Sequence, residues 1–554
     1  MPELTADDVR IRIREFERRL RRTAEVLRGS SVEVDGYDPD DHGPLVSFSG
    51  LDGYEEVDRY WVDAPFAFVS VNYDDVENEH LYQVVEPDLD DLETELLDRL
   101  IDDIRDSLIH RGETADEGDP DAEATAERVA ETALKEELRE LLSVYGVEVE
   151  PASFYRLFYY LHRSFRGFGK LDPLLADPRI EDISCDGYDL PIFVYHDDYT
   201  DIETNIAYGQ RELDNLVMRL AQRSGKHVSI GDPVVETTLP DGSRAELALG
   251  EEVTPRGSAF TIRKYADEPF TPVDLIEYGT FSLDQMAYLW LAIESNKSLI
   301  FAGGTASGKT TSMNAISMFI PPRSKVLTIE DTRELALYHD NWLSSVTRER
   351  RGSAADITMY DLLRSALRHR PEYIVVGEVR GEEAMTLFQA MNTGHTTYST
   401  MHADSVQTVI NRLENDPINV PRAMIQSLDI LSVQTLTYVG DERVRRNKVL
   451  AEIEGIDQRT GDLDYSTTFS WNAGEDTFRR NDSSVLDEIQ DERGWSRSEL
   501  LKEIRNRKRV LEYLRDRGVT DYRRFTAMIN EYYAHPERVL DAIDLDTEID
   551  AGFE

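Results

Sequence analysis

The sequence predicts an α/β protein, and three of its features support that class. Strands and helices alternate from about residue 272 to 440, a pattern typical of a parallel sheet with crossover helices. Within that stretch a glycine-rich loop joins a short apolar strand to a helix. The 554 residues are 40% hydrophobic, which is enough for large cores. At roughly 150 residues per domain, the length favours several domains over one.

Changes in composition along the chain predict six segments. They are an acidic α/β region (1–111), a linker (112–126), a helical region (127–170), a small α/β domain with one helix near 211–224 (171–268), the alternating α/β segment (272–455) and a C-terminal extension that is mostly helical after residue 497 (456–554). The linker is acidic and contains glycine and proline, as flexible connections do. A polar stretch at 472–485 has the composition of a disorder-tolerant patch.

The charge balance restricts the classes of function. The chain has 61 Lys+Arg against 109 Asp+Glu, a formal net charge of −48. The acidity is spread along the whole chain and lysine is scarce, which favours a protein of a salt-loving organism over an acidic mesophilic one. The charge argues against a protein that coats nucleic acid, since phosphate binding needs a positive face.

Cysteine content and hydropathy exclude further classes. The single Cys185 excludes an intramolecular disulfide framework and a four-cysteine zinc site. The N-terminus has no apolar core of the signal-peptide type, and no stretch reaches about 18 uncharged apolar residues. We therefore expect a cytoplasmic protein that meets a membrane, if at all, through a partner.

One motif predicts a nucleotide site. The stretch from Gly303 to Thr310 matches G-x-x-x-x-G-K-S/T in full, between a strand at 298–302 and a helix. Its glycines let backbone N–H groups surround phosphates, and the helix N-terminus adds its positive dipole end. Lys309 would reach the β- and γ-phosphates, and the Thr310 hydroxyl would bind Mg²⁺. The predicted ligands are ATP and Mg²⁺, and the predicted ATP-binding residues are Gly303, Gly304, Thr305, Ala306, Ser307, Gly308, Lys309, Thr310 and Thr311.

Two other predicted strands end in carboxylates. One ends at Glu330, which is followed by Asp331, and the next ends just before Gly377 and Glu378. Carboxylates at the carboxyl ends of strands, beside a phosphate loop, can hold Mg²⁺ or polarise the attacking water. The second block is Walker-B-like, with Gly377 in place of the usual aspartate. Asp331 also fits a cap of the segment that follows it.

Cationic and histidine side chains near these blocks are further candidates. Arg364 and Arg368 are four residues apart, so they share a helix face and could meet a phosphate, or they could be ordinary surface cations. His395 and His402 lie in a Thr/Ser-rich strand with too few other ligands for zinc. His402 fits a sensor of the γ-phosphate, whereas His395 fits a hydrogen-bonded structural histidine.

Four sequence blocks, taken together and in their order along the chain, resemble the secretion and type IV filament ATPase superfamily. That superfamily serves type II and IV secretion, pilus assembly and the archaellum. The four blocks are AGGTASGKTT, TIEDTREL, RPEYIVVGEVRGEEA and TGHTTYSTMHADS. The resemblance covers about 150–455 and looks most like the archaeal branch, which agrees with a haloarchaeal composition. It implies a homo-hexamer whose subunits have a small PAS-like domain, then a RecA-like P-loop ATPase domain, with ATP between them. The lack of a four-cysteine module argues against the bacterial type II subtype.

The resemblance also implies roles for single residues. Glu330 would orient or activate water, and Glu378 would bind Mg²⁺ through water, so Thr310, Glu330 and Glu378 form the predicted metal site. His402 would couple the γ-phosphate to motion. Arginines of the smaller domain would complete the site. The candidates are Arg244, Arg256 and Arg263, of which Arg244 and Arg263 are favoured because they lie in predicted strands, and surface ion pairs are the alternative.

The implied function is that of a motor ATPase that drives assembly of type IV pilus-like filaments or type II/IV-type secretion. A polytopic membrane platform protein would receive its movement at the cytoplasmic membrane. The archaellum motor, a nucleotide-switched scaffold with little turnover and a DNA-translocating ATPase are the alternatives, and the net charge argues against the last. An arginine cluster could dock an acidic partner or form a solvated helix face, and it comprises Arg10, Arg12, Arg14, Arg18, Arg19, Arg21 and Arg22.

Overall fold

A computed structural model describes residues 45–109, 120–265, 269–348, 356–440 and 442–545. The arginine cluster at 10–22 and the first part of the predicted linker lie outside the described residues. Packing divides the chain into two compact units, one up to Tyr265 and one from Ala266 onwards. Among the described helices, none combines the length and the apolar composition that crossing a membrane requires.

The first unit is built on a nine-stranded sheet, counted over the described residues. Its strands are β1 (Glu55–Asp63), β2 (Ala67–Asp74), β3 (Glu79–Val85), β4 (Ile180–Cys185), β5 (Pro191–His196), β6 (Thr200–Ala207), β7 (Val234–Thr238), β8 (Arg244–Ala248) and β9 (Ala259–Arg263). Its helices are α1 (Asp91–Ile109), α2 (Pro120–Tyr145), α3 (Pro151–Phe165), α4 (Asp172–Ala176) and α5 (Gln210–Arg223), with a 3-10 turn at Gly169–Leu171. The strand order is β1-β2-β3-β6-β5-β4-β9-β8-β7.

Alternating side chains explain how this sheet covers a core. In β6, Ile202, Thr204 and Ile206 are buried while the residues between them are exposed, the period-two pattern of a half-buried strand. The amphipathic α5 buries its leucines and valine in the same hydrophobic cluster. The parallel pair β3–β6 joins the N-terminal strands to the sheet of the following segment, with Tyr82 beside Thr204. The other neighbours in the sheet are antiparallel.

The second unit is built on another nine-stranded sheet, again counted over the described residues. Its strands are β10 (Leu299–Gly303), β11 (Val326–Glu330), β12 (Trp342–Val346), β13 (Tyr373–Val376), β14 (Thr396–His402), β15 (Ile430–Val439), β16 (Glu442–Ile456), β17 (Leu463–Asn472) and β18 (Thr477–Arg480). Its helices are α6 (Pro272–Glu277), α7 (Leu283–Glu294), α8 (Lys309–Ser317), α9 (Met359–Ala366), α10 (Glu383–Asn392), α11 (Val406–Glu414), α12 (Arg422–Ile425), α13 (Ser484–Arg493), α14 (Arg497–Asp516), α15 (Tyr522–Ala534) and α16 (Pro536–Asp544), with a 3-10 turn at Leu367–His369.

The strand order of this sheet is that of a RecA-like domain. The order is β12-β11-β13-β14-β10-β15-β16-β17-β18, so two strands separate β10 from β11. The six strands from β12 to β15 are parallel, and the last three are antiparallel additions. Every residue of β10, β11 and β13 is buried, and hydrophobic clusters lie on both faces, as expected when crossover helices cover a parallel sheet.

The polar stretch at 472–485 is ordered, which corrects the expectation of a disorder-tolerant patch. It contains the turn between β17 and β18 and the start of α13. Glu452 is fully buried in β16 and accepts hydrogen bonds from the hydroxyls of Ser483 and Ser484 and from the N–H of Val485. Ser483 and Ser484 are therefore polar because they donate hydrogen bonds to the buried Glu452 carboxylate at the start of α13.

Candidate nucleotide-binding site

The predicted motifs meet at the carboxyl ends of neighbouring strands in the second sheet, the edge of the sheet that the strand ends form. Parallel pairing places His402 of β14 and Gln434 of β15 on either side of Gly303, the last residue of β10. Glu330 ends β11, and Gly377 follows β13, the strand next to β11. Ligands of open α/β sheets bind outside the carboxyl ends of the strands, so this edge is the expected place for a site.

Steric requirements explain two of the three glycines of the phosphate loop, Gly303 and Gly308. Gly308 has φ +83°, a left-handed conformation that favours glycine. A Cβ atom on Gly303 would lie 2.3 Å from the Ser307 hydroxyl oxygen and 2.7 Å from the backbone oxygen of Gln434, so a side chain there would force the loop to shift. Ala306 is also left-handed, with φ +57°, and this conformation is strained for a residue with a side chain.

Lys309 begins helix α8 directly after the loop. Its side chain is buried, and its ammonium group donates a hydrogen bond of 2.7 Å to the carbonyl of Gly304. Burial lowers the pKa of Lys309, while the nearby carboxylates of Glu378 and Glu334 favour the charged form. The nine predicted ATP-binding residues run from Gly303, the last residue of β10, through the loop to the first turn of α8.

Glu330 is the most perturbed carboxylate at this edge. It is buried, and one carboxylate oxygen, Oε1, accepts hydrogen bonds of 2.8 Å from the backbone N–H groups of Glu334 and Leu335. The other, Oε2, is buried, and no described residue donates to it. Burial raises the pKa of Glu330 to about 7, although the two backbone bonds oppose this shift. A Cβ on Gly377 would lie 3.4 Å from the Glu330 side chain, an ordinary van der Waals contact, so Gly377 packs directly against Glu330.

Glu378 and His402 form a pair beside the loop. The imidazole Nε2 of His402 lies 3.2 Å from Oε1 of Glu378. The Arg380 guanidinium donates a hydrogen bond of 2.5 Å to the other carboxylate oxygen of Glu378. Burial and the positive charge of Lys309 lower the pKa of His402, and Glu378 opposes this shift. The His402 ring is therefore mostly neutral at neutral pH.

The residues present fit a magnesium nucleotide. The hydroxyl of Thr310 and the carboxylates of Glu330 and Glu378 belong to the same sheet edge, and oxygen donors are the ligands that Mg²⁺ prefers. The buried Oε2 of Glu330 accepts no hydrogen bond from a described residue, so it keeps the capacity to accept one from a ligand or from water. Within the described ranges no group of three or more His, Cys, Asp or Glu could hold a metal by itself. Mg²⁺ is usually held by one or two carboxylates together with phosphates and water.

The structure does not bring Arg364 and Arg368 to the phosphate loop of the same chain. Both are exposed, in α9 and in the 3-10 turn that leads into β13. Tyr373 begins β13 and pairs with Val326, the first residue of β11, so the two arginines lie towards the amino ends of the strands. The phosphate loop lies at the carboxyl ends. Neither arginine forms an ion pair with another described residue, and the Arg364 guanidinium lies over the Tyr360 ring.

Arg244 and Arg263 lie in the first unit, where they are register partners on β8 and β9. Arg244 forms an ion pair with Glu236, and Arg263 forms one of 3.1 Å with Asp182. The ion pairs that were the alternative interpretation are thus present. Their role towards a nucleotide stays a prediction.

Two residues that contact the phosphate loop or the helix after it are not predicted from the sequence. Arg445 of β16 donates a hydrogen bond of 3.0 Å to the carbonyl of Ala306. Gln434, at the middle of β15, donates one of 2.6 Å to the hydroxyl of Ser312 in α8. No motif marks either residue, because only the strand order brings β15 and β16 beside β10. Three arginines within residues 443–446 stand out in so acidic a chain, and they are the feature of the sequence that could have drawn attention to Arg445.

The fold and the loop define a RecA-like P-loop protein, and comparison with known proteins gives the family. The family model described as type II/IV secretion system protein matches residues 203–476. Models described as PilB3-like, N-terminal and PilB3-like, C-terminal match residues 14–88 and 474–554. The chain belongs to the type II/IV secretion system protein family.

Individual proteins are similar to parts of this chain. The uncharacterized protein MJ0900 of Methanocaldococcus jannaschii is 39% identical over 393 residues, which are 70% of this chain and 71% of that protein. The type IV secretion system protein PtlH of Bordetella pertussis is 33% identical over 238 residues, 36% of this chain and 69% of PtlH. Among solved structures, the VirB11 ATPase from the Brucella suis type IV secretion system is 26% identical, with a TM-score of 0.27, and the match covers 50% of this chain and 91% of that one.

Proposed function

We propose that this protein is a Mg²⁺-dependent ATPase that drives assembly of type IV pilus-like filaments or type II/IV-type secretion. One observation carries the proposal: Lys309, Glu330, Glu378 and His402 converge at the carboxyl edge of a RecA-like sheet. Membership of the type II/IV secretion family supports the machine to which this ATPase would belong. The archaellum motor stays the alternative within the same class.

The side chains at this edge suit the parts of phosphoryl transfer to water. Lys309 and the loop N–H groups would bind the phosphates, and Thr310 and Glu378 would hold Mg²⁺, which neutralises phosphate charge when bound. Glu330 would orient a water molecule and take up its proton. A carboxylate whose pKa is about 7 is ionised in part at neutral pH and is a stronger base than an ordinary glutamate.

His402 is placed to report on the nucleotide. It lies beside Gly303 in the sheet register and beside the Glu378 carboxylate. A neutral imidazole can donate a hydrogen bond to a phosphate oxygen without the cost of burying a second cation next to Lys309. Loss of the γ-phosphate would remove that partner, which would let β14 and the segments joined to it move.

A homo-hexameric ring would give the exposed arginines a role. Arg364 and Arg368 lie away from the phosphate loop of their own chain, and neither forms an ion pair with another described residue. In a ring built from head-to-tail contacts, the surface of one subunit faces a different surface of the next. These arginines could thus approach the nucleotide of a neighbour, as arginine fingers do in other nucleotide hydrolases. We place the ring at the cytoplasmic membrane, bound to a polytopic platform protein.

The proposal is tested by phosphate release from ATP in multimolar KCl, with the particle mass measured with and without nucleotide. Mg²⁺-dependent turnover that Lys309→Ala abolishes, together with hexamers that nucleotide favours, would support the motor. Wild-type turnover in Lys309→Ala would refute the site. Tight ATP binding by a monomer with no turnover would instead favour a nucleotide-switched scaffold.

A second experiment separates pilus assembly from the archaellum. Deletion of the gene in its host should abolish surface pili and leave swimming intact. Loss of swimming with normal pili would favour the archaellum motor, and complementation with the wild-type gene is the control.

A further inference from the structure

The phosphate loop has two sides, and the site described above uses one of them. β10 lies between β14 and β15 in the sheet. On the β14 side, His402 pairs with Gly303 in register and contacts Glu378. On the β15 side, Gln434 pairs with Gly303, and β16 follows as the next strand. No motif and no proposed catalytic role involves this second side.

Side chains from β15 and β16 contact the loop on that second side. Arg445 donates its Nε–H to the carbonyl of Ala306 at 3.0 Å, and its Cδ lies 3.4 Å from the position that a Cβ on Gly308 would take. Gln434 is 2% exposed and donates to Ser312 at 2.6 Å. The amide oxygen of its side chain, Oε1, is buried and accepts no hydrogen bond from a described residue. The loop and the first turn of α8 are thus held from β15 and β16.

The bond from Arg445 supports the strained part of the loop. Ala306 has a left-handed backbone, which a residue with a Cβ adopts only when its surroundings hold it there. The ammonium of Lys309 is bonded to Gly304 instead, two residues earlier. Arg445 therefore supports the carbonyl of Ala306 itself, which is the strained residue of the loop that is not a glycine.

The neighbour of Arg445 fixes the strand that carries it. Arg446 is 7% exposed, and its guanidinium donates two hydrogen bonds, of 2.8 and 2.9 Å, to the carboxylate of Asp476. It also donates to the carbonyl of Tyr278 at 2.8 Å. Asp476 lies in the turn between β17 and β18, inside the region that matches the PilB3-like C-terminal model. Arg446 thus connects the C-terminal region to β16, and Arg445 connects β16 to the phosphate loop.

We propose that Arg445 is a positioning residue that holds the phosphate loop ready for nucleotide, and that the Arg446–Asp476 pair fixes Arg445 in place. This inference rests on the proposed ATPase function. A loop that already has its binding conformation loses less freedom when phosphate binds, so its affinity is higher. The support acts before chemistry, and it should change nucleotide affinity more than the rate of hydrolysis.

The test is nucleotide affinity in the full chain, measured by titration with a fluorescent ATP analogue and by steady-state kinetics. Arg445→Ala should raise Kd and KM about tenfold and keep kcat within about twofold. Asp476→Ala should raise Kd by a smaller factor, about threefold. Arg459→Ala is the matched control, since Arg459 is a surface arginine whose side chain is 85% exposed, and it should bind like the wild type.

Each outcome decides something different. Wild-type affinity in Arg445→Ala, alongside an active wild type, would overturn the inference and leave the ATPase proposal standing. A lower thermal unfolding midpoint of Arg445→Ala without nucleotide, at unchanged Kd, would show a merely structural arginine and would also overturn it. Failure of the wild type itself to bind ATP would instead refute the proposed function.

Discussion

The surroundings of the Glu330 carboxylate shift its pKa in opposite directions. Two backbone N–H groups donate to Oε1 and favour the charged form, while burial of the whole side chain favours the neutral form. Burial has the larger effect, because the pKa rises to about 7. At neutral pH the group therefore changes its charge, as a general base should.

Hydrolysis should depend on pH through Glu330. We expect kcat to rise with pH and to level off above about 7, since only the ionised carboxylate can take a proton from water. Glu330→Gln should bind ATP with near wild-type affinity and lose turnover by about a thousandfold or more. The measurement is a pH series of phosphate release at saturating ATP. A wild-type profile that is flat between pH 5 and 8 would contradict the role of Glu330.

The same group should make stability depend on pH, with a known sign. The folded pKa is raised above the ordinary value of 4.5, so this stabilising contribution is complete below about 4.5 and is lost as pH rises through about 7. The Glu330→Gln variant lacks this titration. Its thermal unfolding midpoint should fall less than that of the wild type from pH 5 to 8. Parallel curves for the two proteins would mean that Glu330 titrates normally.

Glu378 should serve turnover and not nucleotide binding. Its carboxylate lies between His402 and Arg380, and in the proposed site Lys309 and the loop would bind the phosphates. Glu378→Gln keeps the shape and removes the charge that would hold Mg²⁺, so ATP affinity should stay within a few fold while hydrolysis falls about a hundredfold or more. Phosphate release and ATP titration measure the two effects. Glu382→Gln, an exposed glutamate nearby, is the control, and loss of ATP binding in Glu378→Gln would refute the role.

The sequence predicts these residues to different extents. Lys309 and Glu330 belong to contiguous motifs, in which a strand and a loop place the side chain by themselves. Arg445 contacts the loop at Ala306, 139 residues earlier in the chain, and Gln434 contacts Ser312 of α8, 122 residues earlier. No local pattern reports such a contact.

At the scale of elements, Glu452 shows how a buried charge fastens a helix. Its carboxylate is fully buried and accepts four hydrogen bonds, of 2.7 Å from the Tyr288 hydroxyl, 2.6 and 2.9 Å from Ser483 and Ser484, and 3.0 Å from the Val485 N–H. These bonds connect β16 with α7 and with the start of α13. The C-terminal helices thus share a buried core with α7 and α8.

Removal of this carboxylate should destabilise the second unit. Glu452→Ala leaves buried donors without an acceptor and opens a cavity, at a cost of about 3 kcal/mol or more. Glu454→Ala, two residues along the same strand and exposed, should change stability by less than about 0.5 kcal/mol. Denaturant unfolding of both variants in the same KCl buffer measures the difference. Equal midpoints for the two variants would show that the Glu452 bonds contribute nothing net.

Local patterns predict the elements better than their partners. The helix expected near 211–224 is α5, Gln210–Arg223, because its apolar residues recur at helical spacing. The order in the polar stretch at 472–485 depends on Glu452, and the pairing of β3 with β6 joins residues more than 120 positions apart. Both depend on contacts distant in sequence, which composition and periodicity do not report.

The net charge of −48 is a property of the whole molecule. Like charges repel across a compact surface, and salt screens them over about 10 Å at 0.1 M and about 3 Å at 1 M. We expect the thermal unfolding midpoint to rise by 10 °C or more, as an order of magnitude, between about 0.1 and 3 M KCl. Sucrose at matched osmolality is the control, because it does not screen charge. An unchanged midpoint in KCl would contradict the salt-adapted interpretation.

Assembly is the largest scale, and the exposed arginines allow a test of it. If Arg364 and Arg368 act on the nucleotide of a neighbouring subunit, two inactive variants should complement each other. Lys309→Ala subunits have intact arginines, and subunits with Arg364→Ala and Arg368→Ala have an intact phosphate loop. In randomly mixed rings about a quarter of the sites combine both intact parts, so a mixture should recover about a quarter of wild-type hydrolysis per subunit.

The control for this experiment is a mixture that cannot complement. Subunits that carry Lys309→Ala together with both arginine substitutions, mixed with Lys309→Ala subunits, contain no intact loop and should stay inactive. Activity in the complementing mixture should also depend on total protein concentration, because subunits must exchange before they share a site. If that mixture shows only the sum of its two parts, the arginines do not act across subunits, and a ring would have to complete its sites with other side chains.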